Sequence, residues 1–418
     1  MSVARRLALP AQFALKYEWQ LFLNTELWPG APSPSANRQL VKKFFGNGVS
    51  RGICAFGKRY PELQRMWATQ ISNWFNFSEQ FLRHAARFVR KMQFDDQTIS
   101  RLEPDRSDAH NGNASVVEMA FAGGQKWFYK PRPAGPAKTW FELLGRINES
   151  GFSKPFETPD VVSAGRHHWM RAVPHRRCVS SRQQRDFWFR AGALLYLVHV
   201  FRGVDFHADN LVCRNGQPIV VDCETLGHPE TQLPRPSAVT ETGLFRTGML
   251  PVRPLSDHDV SAFGPITQRR SRPRRSTGAG LCSSAAAEGF TSMHEFLTRN
   301  STHKSFVTRA RNQLRRQECR RVYRPTAQYY SILHRSLASH LLRNGTARLE
   351  YLAKACSAPH LPDHIVRREI LALRDLDIPS FIGRGSPGKK FPSTRAVQQA
   401  ADRILAATPS VEYSVAFS

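Results

Sequence analysis

Asp205, His207, Asn210, Asp222 and Glu224 fall within one stretch, VDFHADNLVCRNGQPIVVDCETLGH. Carboxylates, an imidazole and a carboxamide set among apolar residues are costly to bury unless they are paired or bind a cation. Phosphoryl transfer uses this set of groups. One carboxylate orients or deprotonates the attacking hydroxyl. An Asn and a second carboxylate hold Mg2+, a hard ion that prefers oxygen ligands. The same residues also suit a structural cluster that caps a buried helix and does no chemistry.

Their order narrows the choice. In protein kinases a catalytic-loop Asp precedes a metal-binding Asn, and a β-hairpin separates that Asn from the metal-binding Asp. Asp205, Asn210, an expected hairpin and Asp222 repeat that order. Such a site also needs a Lys on a strand to hold nucleotide phosphates, and Lys130 in FYKPR stands at a strand end. Strand alternation puts Lys130 on one face with Lys126 and Phe128, opposite Trp127 and Tyr129. Alone, such a Lys is usually just exposed. Asp108 and His110, before the turn Asn111-Gly112-Asn113, read by themselves as an ordinary loop.

The elements that must position these groups are legible in outline. The spacing predicts a mostly apolar helix over residues 185–204, directly before Asp205. Residues 211–213 and 219–221 read as strands around the turn Arg214-Asn215-Gly216-Gln217, where Asn-Gly is a strong hairpin signal. Val117, Met119 and Phe121 alternate, Gly123-Gly124 follows, and residues 127–130 make the second strand of a hairpin. Phe141, Leu144 and Ile147 predict a helix. Trp67, Ile71, Trp74 and Phe75, then Phe81, Leu82, Ala85 and Phe88, recur at helical spacing and read as a packing face. The Pro/Ser stretch 29–34 and the Ser/Arg/Pro/Gly/Ala-rich residues 266–286 read as loops. Helix resumes after about residue 291. Residues 383–390 read as loop and 394–405 as a short amphipathic helix. No internal repeat is evident.

Composition sets the bounds. The 418 residues, 41% hydrophobic with 27 Phe and 8 Trp, suffice for real cores. The longest apolar run, residues 191–201, is too short to span a bilayer. The N-terminal apolar stretch is broken by Pro10 and makes a poor signal peptide, so the expected location is cytoplasmic. Seven Cys are scattered without a C-x-x-C. That argues against a disulfide framework or a Cys-rich zinc site, and for reduced thiols. A net charge of +27 suggests an anionic partner. The densest basic run, residues 269–275 (RRSRPRR), comes with no nucleic-acid recognition signature, so nucleic acid is not expected.

Taken in order, FYKPR, D-x-H-x-x-N with D-x-E-T-L, and RVYRPTAQYY resemble the dehydratase domain of class II lanthipeptide synthetases, the LanM type. Supporting stretches are SDAHNG at 107–112, GLFRTGMLP at 243–251 and DIPSF at 377–381. The resemblance runs from about residue 100 to 385. It implies an α+β fold with a kinase-like, lipid-kinase-related core and added helical elements. It also implies a two-step chemistry. ATP and Mg2+ phosphorylate Ser or Thr of a ribosomal precursor peptide, and the same site then eliminates phosphate to leave dehydroalanine or dehydrobutyrine.

Carried over residue by residue, Lys130 contacts ATP phosphates. Asp205 is the phosphorylation base, supported by His207. Asn210 and Asp222 hold Mg2+, with Glu224 nearby. Arg320 and Thr326 match the elimination pair, an Arg fork being suited to phosphate, with Arg324 a further candidate. Asp108 and His110 match another required motif, and Glu369 is a weaker carry-over. The sequence departs from the pattern at Asp209, where the family usually has Glu, and at Ser107, where it has Gly. No Cys-His pair matches the family's zinc-binding cyclase domain, so a dehydratase without that domain is expected, with a separate cyclase as a candidate partner.

The expected organisation is a mainly helical region 1–99, a kinase-like core 100–255 with the nucleotide and metal site, a mobile basic loop 256–290 and a helical part 291–418 carrying the elimination motif. A simple peptide or small-molecule kinase, and a non-catalytic truncated homologue, stay open as alternatives.

Overall fold

A computed structural model describes residues 3–25, 43–44, 56–93, 97–229, 243–250, 261–263 and 279–407. The stretches 29–34 and 269–275 lie outside the described residues. The chain runs α1 Val3–Thr25, α2 Pro61–Met92, β1 Ile99–Glu103, β2 Val117–Phe121, β3 Lys126–Lys130, α3 Gly135–Glu149, β4 Val161–Ala164, β5 His167–Arg171, α4 Ser181–Val200, β6 Leu211–Arg214 and β7 Gln217–Val220. It continues with α5 Ala279–Thr298, α6 Ser301–Arg316, β8 Glu318–Arg321, α7 Thr326–Arg335, α8 Ser339–Arg343, α9 Gly345–Cys356, α10 Asp363–Arg374, β9 Phe381–Arg384 and α11 Thr394–Ala407. This is a mixed α+β chain. It divides into two units, each built from separated pieces: residues 1–124 with 324–380, and residues 125–323 with 381–418.

In the first unit, α2 starts with Pro61 at its first position, where the missing N–H costs nothing. It ends at Gln93 in the left-handed conformation, with Arg90 and Lys91 in the last turn facing the negative helix end. Its buried stripe is Leu63, Met66, Phe77, Phe81, Ala85 and Phe88. The expected packing face is therefore only partly correct. Ile71, Phe75 and Leu82 are 49%, 62% and 57% exposed. They form a second stripe roughly a third of a turn away at the same helical spacing, so periodicity alone does not tell the two apart. Arg348 is fully buried, bonded to Glu62 on α2 at 2.9 Å and to the carbonyls of Leu373 and Arg374 at the end of α10. β1 and β2 pair antiparallel, with Leu102 opposite Met119.

In the second unit, β3, β5 and β4 are neighbouring antiparallel strands, and Lys130 lies opposite His168. β6 and β7 form the expected hairpin with Leu211 opposite Val220. Asn215 (φ 51°) and Gly216 (φ 81°) both take positive φ at its turn, the pattern that matches strand twist in a two-residue loop. α4 begins at Ser180, whose hydroxyl accepts from the Gln183 N–H at 3.2 Å. Nearly every residue from Phe187 to Val200 is buried, including both faces.

That full burial is achieved by α5. A Cβ placed on Gly192 would lie 1.8 Å from the Ala286 carbonyl oxygen, and one on Gly289 would lie 1.8 Å from that of Phe189. The two backbones are in close approach at both points. Residues 279–290 are thus helical rather than the end of a loop. Alanine and serine suggest loop by composition, but Ala is the best helix former, and small side chains suit this contact. Gly289→Ala is expected to lower the thermal unfolding midpoint. The ~1 kcal/mol gained in helix propensity is smaller than the strain of pushing a methyl into a backbone carbonyl, about 1–3 kcal/mol or more.

The tail differs from expectation at one place. Gly383 and Arg384 are not loop but part of β9, which pairs antiparallel with β8, Arg320 opposite Ile382. That pairing joins segments far apart in sequence, so no local signal announces it. Residues 394–407 form the expected helix. Among the described residues no helix is long and apolar enough to cross a membrane.

Candidate functional site

The loop between α4 and β6 is pinned residue by residue. Asp205 itself has φ 64°, a left-handed conformation that Asp tolerates better than most side chains. The Thr225 hydroxyl donates to the Val204 carbonyl. The Phe206 N–H donates to the Thr247 carbonyl at 2.8 Å. The Asn210 side-chain amide donates to the Asp205 carbonyl at 2.8 Å. Thr225 comes from D-x-E-T-L and Thr247 from GLFRTGMLP, so two uncharged threonines from separate stretches hold the backbone on which Asp205 sits.

Among the described residues no hydrogen bond to the Asp205 carboxylate is made. His207 Nε2 lies 3.9 Å from it. Burial raises its pKa from the ordinary 3.8, the carboxylates of Asp222 and Glu224 add to this, and His207 and Arg320 oppose it. His207 Nε2 accepts from the Asn210 amide at 3.2 Å, while Nδ1 faces Asp209 at 3.7 Å. Asp209 is 92% exposed. The oxygen of the Asn210 side chain carries none of these bonds.

Asp222 and Glu224 follow β7. Arg132 reaches both: Nη2 to Asp222 Oδ2 at 2.5 Å and Nη1 to Glu224 Oε2 at 2.9 Å. The remaining oxygens are also engaged. Asp222 Oδ1 accepts the Glu224 N–H at 3.2 Å, and Glu224 Oε1 accepts from Arg320 Nη1 at 2.8 Å. Arg320 is further joined through its own N–H to the Glu224 carbonyl at 2.7 Å. Burial by itself would raise the Asp222 carboxyl, but the charges of Arg132 and Lys130 overcome it and hold Asp222 well below the usual carboxylate range. Burial likewise would lower Arg320, and Glu224 reverses it, holding the guanidinium firmly charged.

Lys130 is buried, and its ammonium donates to the Val221 carbonyl at 2.5 Å rather than to a carboxylate. Desolvation lowers its pKa, with Asp222 working the other way. His168, opposite Lys130, makes a bond from Nδ1 to the Arg132 carbonyl at 2.8 Å. Burial and the Lys130 charge push His168 down to about 3, so it stays neutral near pH 7.

Arg132 belongs to none of the residues expected from the motifs, yet the sequence carries a signal for it. It stands two positions after Lys130 in FYKPR, so an extended backbone puts both on one side. Among the described residues no three His, Cys, Asp or Glu side chains are arranged to hold a metal. A Mg2+ ion carried by nucleotide phosphates needs only one or two protein oxygens. Asn210 and Asp222 supply groups of that kind, and the donor set fits the ion on that basis.

The remaining predicted residues lie in the other unit, apart from Arg320. Asp108 Oδ1 accepts from the Tyr330 hydroxyl at 2.7 Å. His110 Nδ1 bonds the Ile378 carbonyl at 2.7 Å and so carries the proton. Asp377 accepts the N–H groups of Gly112 at 2.6 Å and Asn113 at 3.1 Å. The DIPSF stretch therefore anchors the SDAHNG loop. Thr326 opens α7. Glu369 is 0% exposed, accepting from Arg324 Nε at 2.9 and 3.1 Å and from the Tyr329 hydroxyl at 2.6 Å.

Comparison with known proteins adds a relative and a family. The chain is 21% identical over 201 residues to a protein of Lactococcus lactis subsp. lactis named "Lacticin 481/lactococcin biosynthesis protein LcnDR2", an alignment covering 44% of this chain and 21% of the relative. The chain thus spans about a fifth of the length of that relative. A family model described as "Domain of unknown function (DUF4135)" matches residues 60–280 and 282–384. That match covers well over half of the sequence, and the chain belongs to this family.

Proposed function

We propose that the protein is a peptide-modifying enzyme of lanthipeptide biosynthesis that phosphorylates Ser or Thr of a ribosomal precursor peptide with ATP and Mg2+, then eliminates the phosphate. One observation carries the reading. Arg320, from the motif matched to elimination, is bonded twice to Glu224, from the motif matched to phosphotransfer. A phosphate delivered beside Asp222 would lie near the guanidinium needed to help it leave. The lacticin 481/lactococcin biosynthesis role in the Lactococcus relative's name supports the peptide substrate class.

In the first step Asp205 accepts the hydroxyl proton as the Ser or Thr oxygen bonds to the γ-phosphorus and ADP leaves. Among the described residues its carboxylate has no hydrogen bond to give up. His207 and Asn210 hold that loop in place. Asn210 and Asp222 are the residues that would hold Mg2+, whose bound charge would neutralise the transferring phosphate. Lys130 and Arg132 supply further positive charge. In the second step a base takes the Cα proton, the Cα–H electron pair forms Cα=Cβ, the Cβ–O bond breaks, and its electron pair leaves with phosphate. Arg320 is suited to stabilise the departing dianion.

The test is mass spectrometry of a Ser/Thr-rich precursor peptide incubated with the protein, ATP and Mg2+. Loss of water per modified residue is the expected result, and Arg320→Lys is expected to accumulate phosphopeptide instead. A stable phosphopeptide from the unaltered protein would reduce the activity to that of a kinase. No ATP consumption at all would favour a non-catalytic homologue.

A further inference from the structure

The geometry points to Arg132 as an internal counter-ion that a divalent cation displaces from Asp222, after which its guanidinium serves the nucleotide phosphates. The inference rests on the phosphotransfer reading above and adds a role that reading does not contain. Arg132 bridges Asp222 Oδ2 and Glu224 Oε2. With the Glu224 N–H on Asp222 Oδ1 and Arg320 on Glu224 Oε1, every carboxylate oxygen of the pair has a donor.

Charge balance then decides what must move. Lys130, Arg132 and Arg320 stand against Asp205, Asp222 and Glu224, so the cluster is neutral when all six are ionised. A divalent cation bound at Asp222 leaves a surplus of positive charge in a poorly solvated place, where like charges repel strongly. Lys130 has little to release, since its ammonium is spent on the Val221 carbonyl. Arg320 is tied to Glu224 through both side chain and backbone. Arg132 is held to the pair by its side chain alone, and its fork matches phosphate as well as it matches carboxylate.

Two effects of opposite sign follow. Without Arg132 the carboxylates lose a competitor, so metal binds more tightly in the absence of nucleotide. The nucleotide in the absence of metal loses a phosphate ligand and binds less tightly. A residue that only propped the site would weaken both when removed.

The experiment uses the full chain. Mn2+ is titrated without nucleotide and free Mn2+ is followed by electron paramagnetic resonance. ATP is titrated with EDTA present by calorimetry. Arg132→Gln is expected to bind Mn2+ roughly tenfold more tightly and metal-free ATP more weakly. Arg132→Lys, which keeps the charge but loses the fork, is expected to fall between and serves if the Gln variant does not fold. Mn2+ affinity that is equal or weaker in both variants overturns the counter-ion role while leaving phosphotransfer standing. If neither the unaltered chain nor the variants bind Mn2+, and Asp222→Asn changes nothing, the metal site itself fails together with this role.

Discussion

Asp205→Asn is expected to slow peptide phosphorylation by roughly 10²–10⁴-fold, the usual worth of a positioned general base. Phosphopeptide formed per minute under saturating ATP measures it. The fold should survive the change. Burial raises the Asp205 pKa above the ordinary 3.8, so the folded state disfavours its charged form. Its contribution to stability is fully present below the unfolded pKa and is lost as pH rises through the folded value. At neutral pH the neutral Asn should therefore leave the unfolding midpoint unchanged or slightly raised. The same shift predicts a pH signature. The phosphorylation rate falls as pH drops through the raised Asp205 pKa, at higher pH than for an ordinary Asp, and this limb is missing from the residual rate of the variant. A loss smaller than tenfold, with the acid limb intact, would remove Asp205 from the role of base.

Glu369→Ala is expected to act through stability instead. Glu369 has no exposed surface, and its partners Arg324 and Tyr329 are buried with it. Removing one member of a buried pair strands the other, a loss of about 3–5 kcal/mol. For a unit of this size that corresponds to a midpoint lower by roughly 10 °C. Replacing both partners by leucine should recover much of the loss, since apolar groups of similar volume often substitute well for a buried ion pair. If Glu369 served elimination directly, Glu369→Gln would retain its midpoint and accumulate phosphopeptide. The two outcomes separate cleanly by thermal unfolding and mass spectrometry on the same sample.

These two residues show how differently a motif position can be used. Both were reached through the same resemblance. Asp205 sits on a strained loop with its carboxylate 3.9 Å from the His207 imidazole, whereas Glu369 spends its oxygens on Arg324 and Tyr329. Nothing in their types or spacing distinguishes a base from a buried counter-ion, because the distinction lies in which donors surround them. α2 makes the same point for packing. Two apolar stripes at helical spacing compete on one helix, and the contacts of the first unit buried Leu63 and Phe81 while leaving Ile71 and Phe75 in solvent.

Local structure is legible in the amino-acid order. The hairpin at Asn215-Gly216, the apolar helix before Asp205, the strand ending at Lys130 and the C-terminal helix each follow from a period or a turn residue acting within a few positions. The order of Asp205, Asn210 and Asp222 was legible for the same reason. Tertiary structure alone decided the pairings across long separations: Arg132 with Asp222 and Glu224, Arg320 with Glu224, Asp377 with the Gly112 and Asn113 amides, and α4 against α5 through Gly192 and Gly289. Each depends on where the backbone brings a charge or a bare glycine. Among 60 Lys and Arg residues, composition gives no reason for Arg132 and Arg320 to be the ones that converge on one pair of carboxylates. Burial and chain geometry select them, because ionised carboxylates withdrawn from water are costly unless paired or hydrogen-bonded.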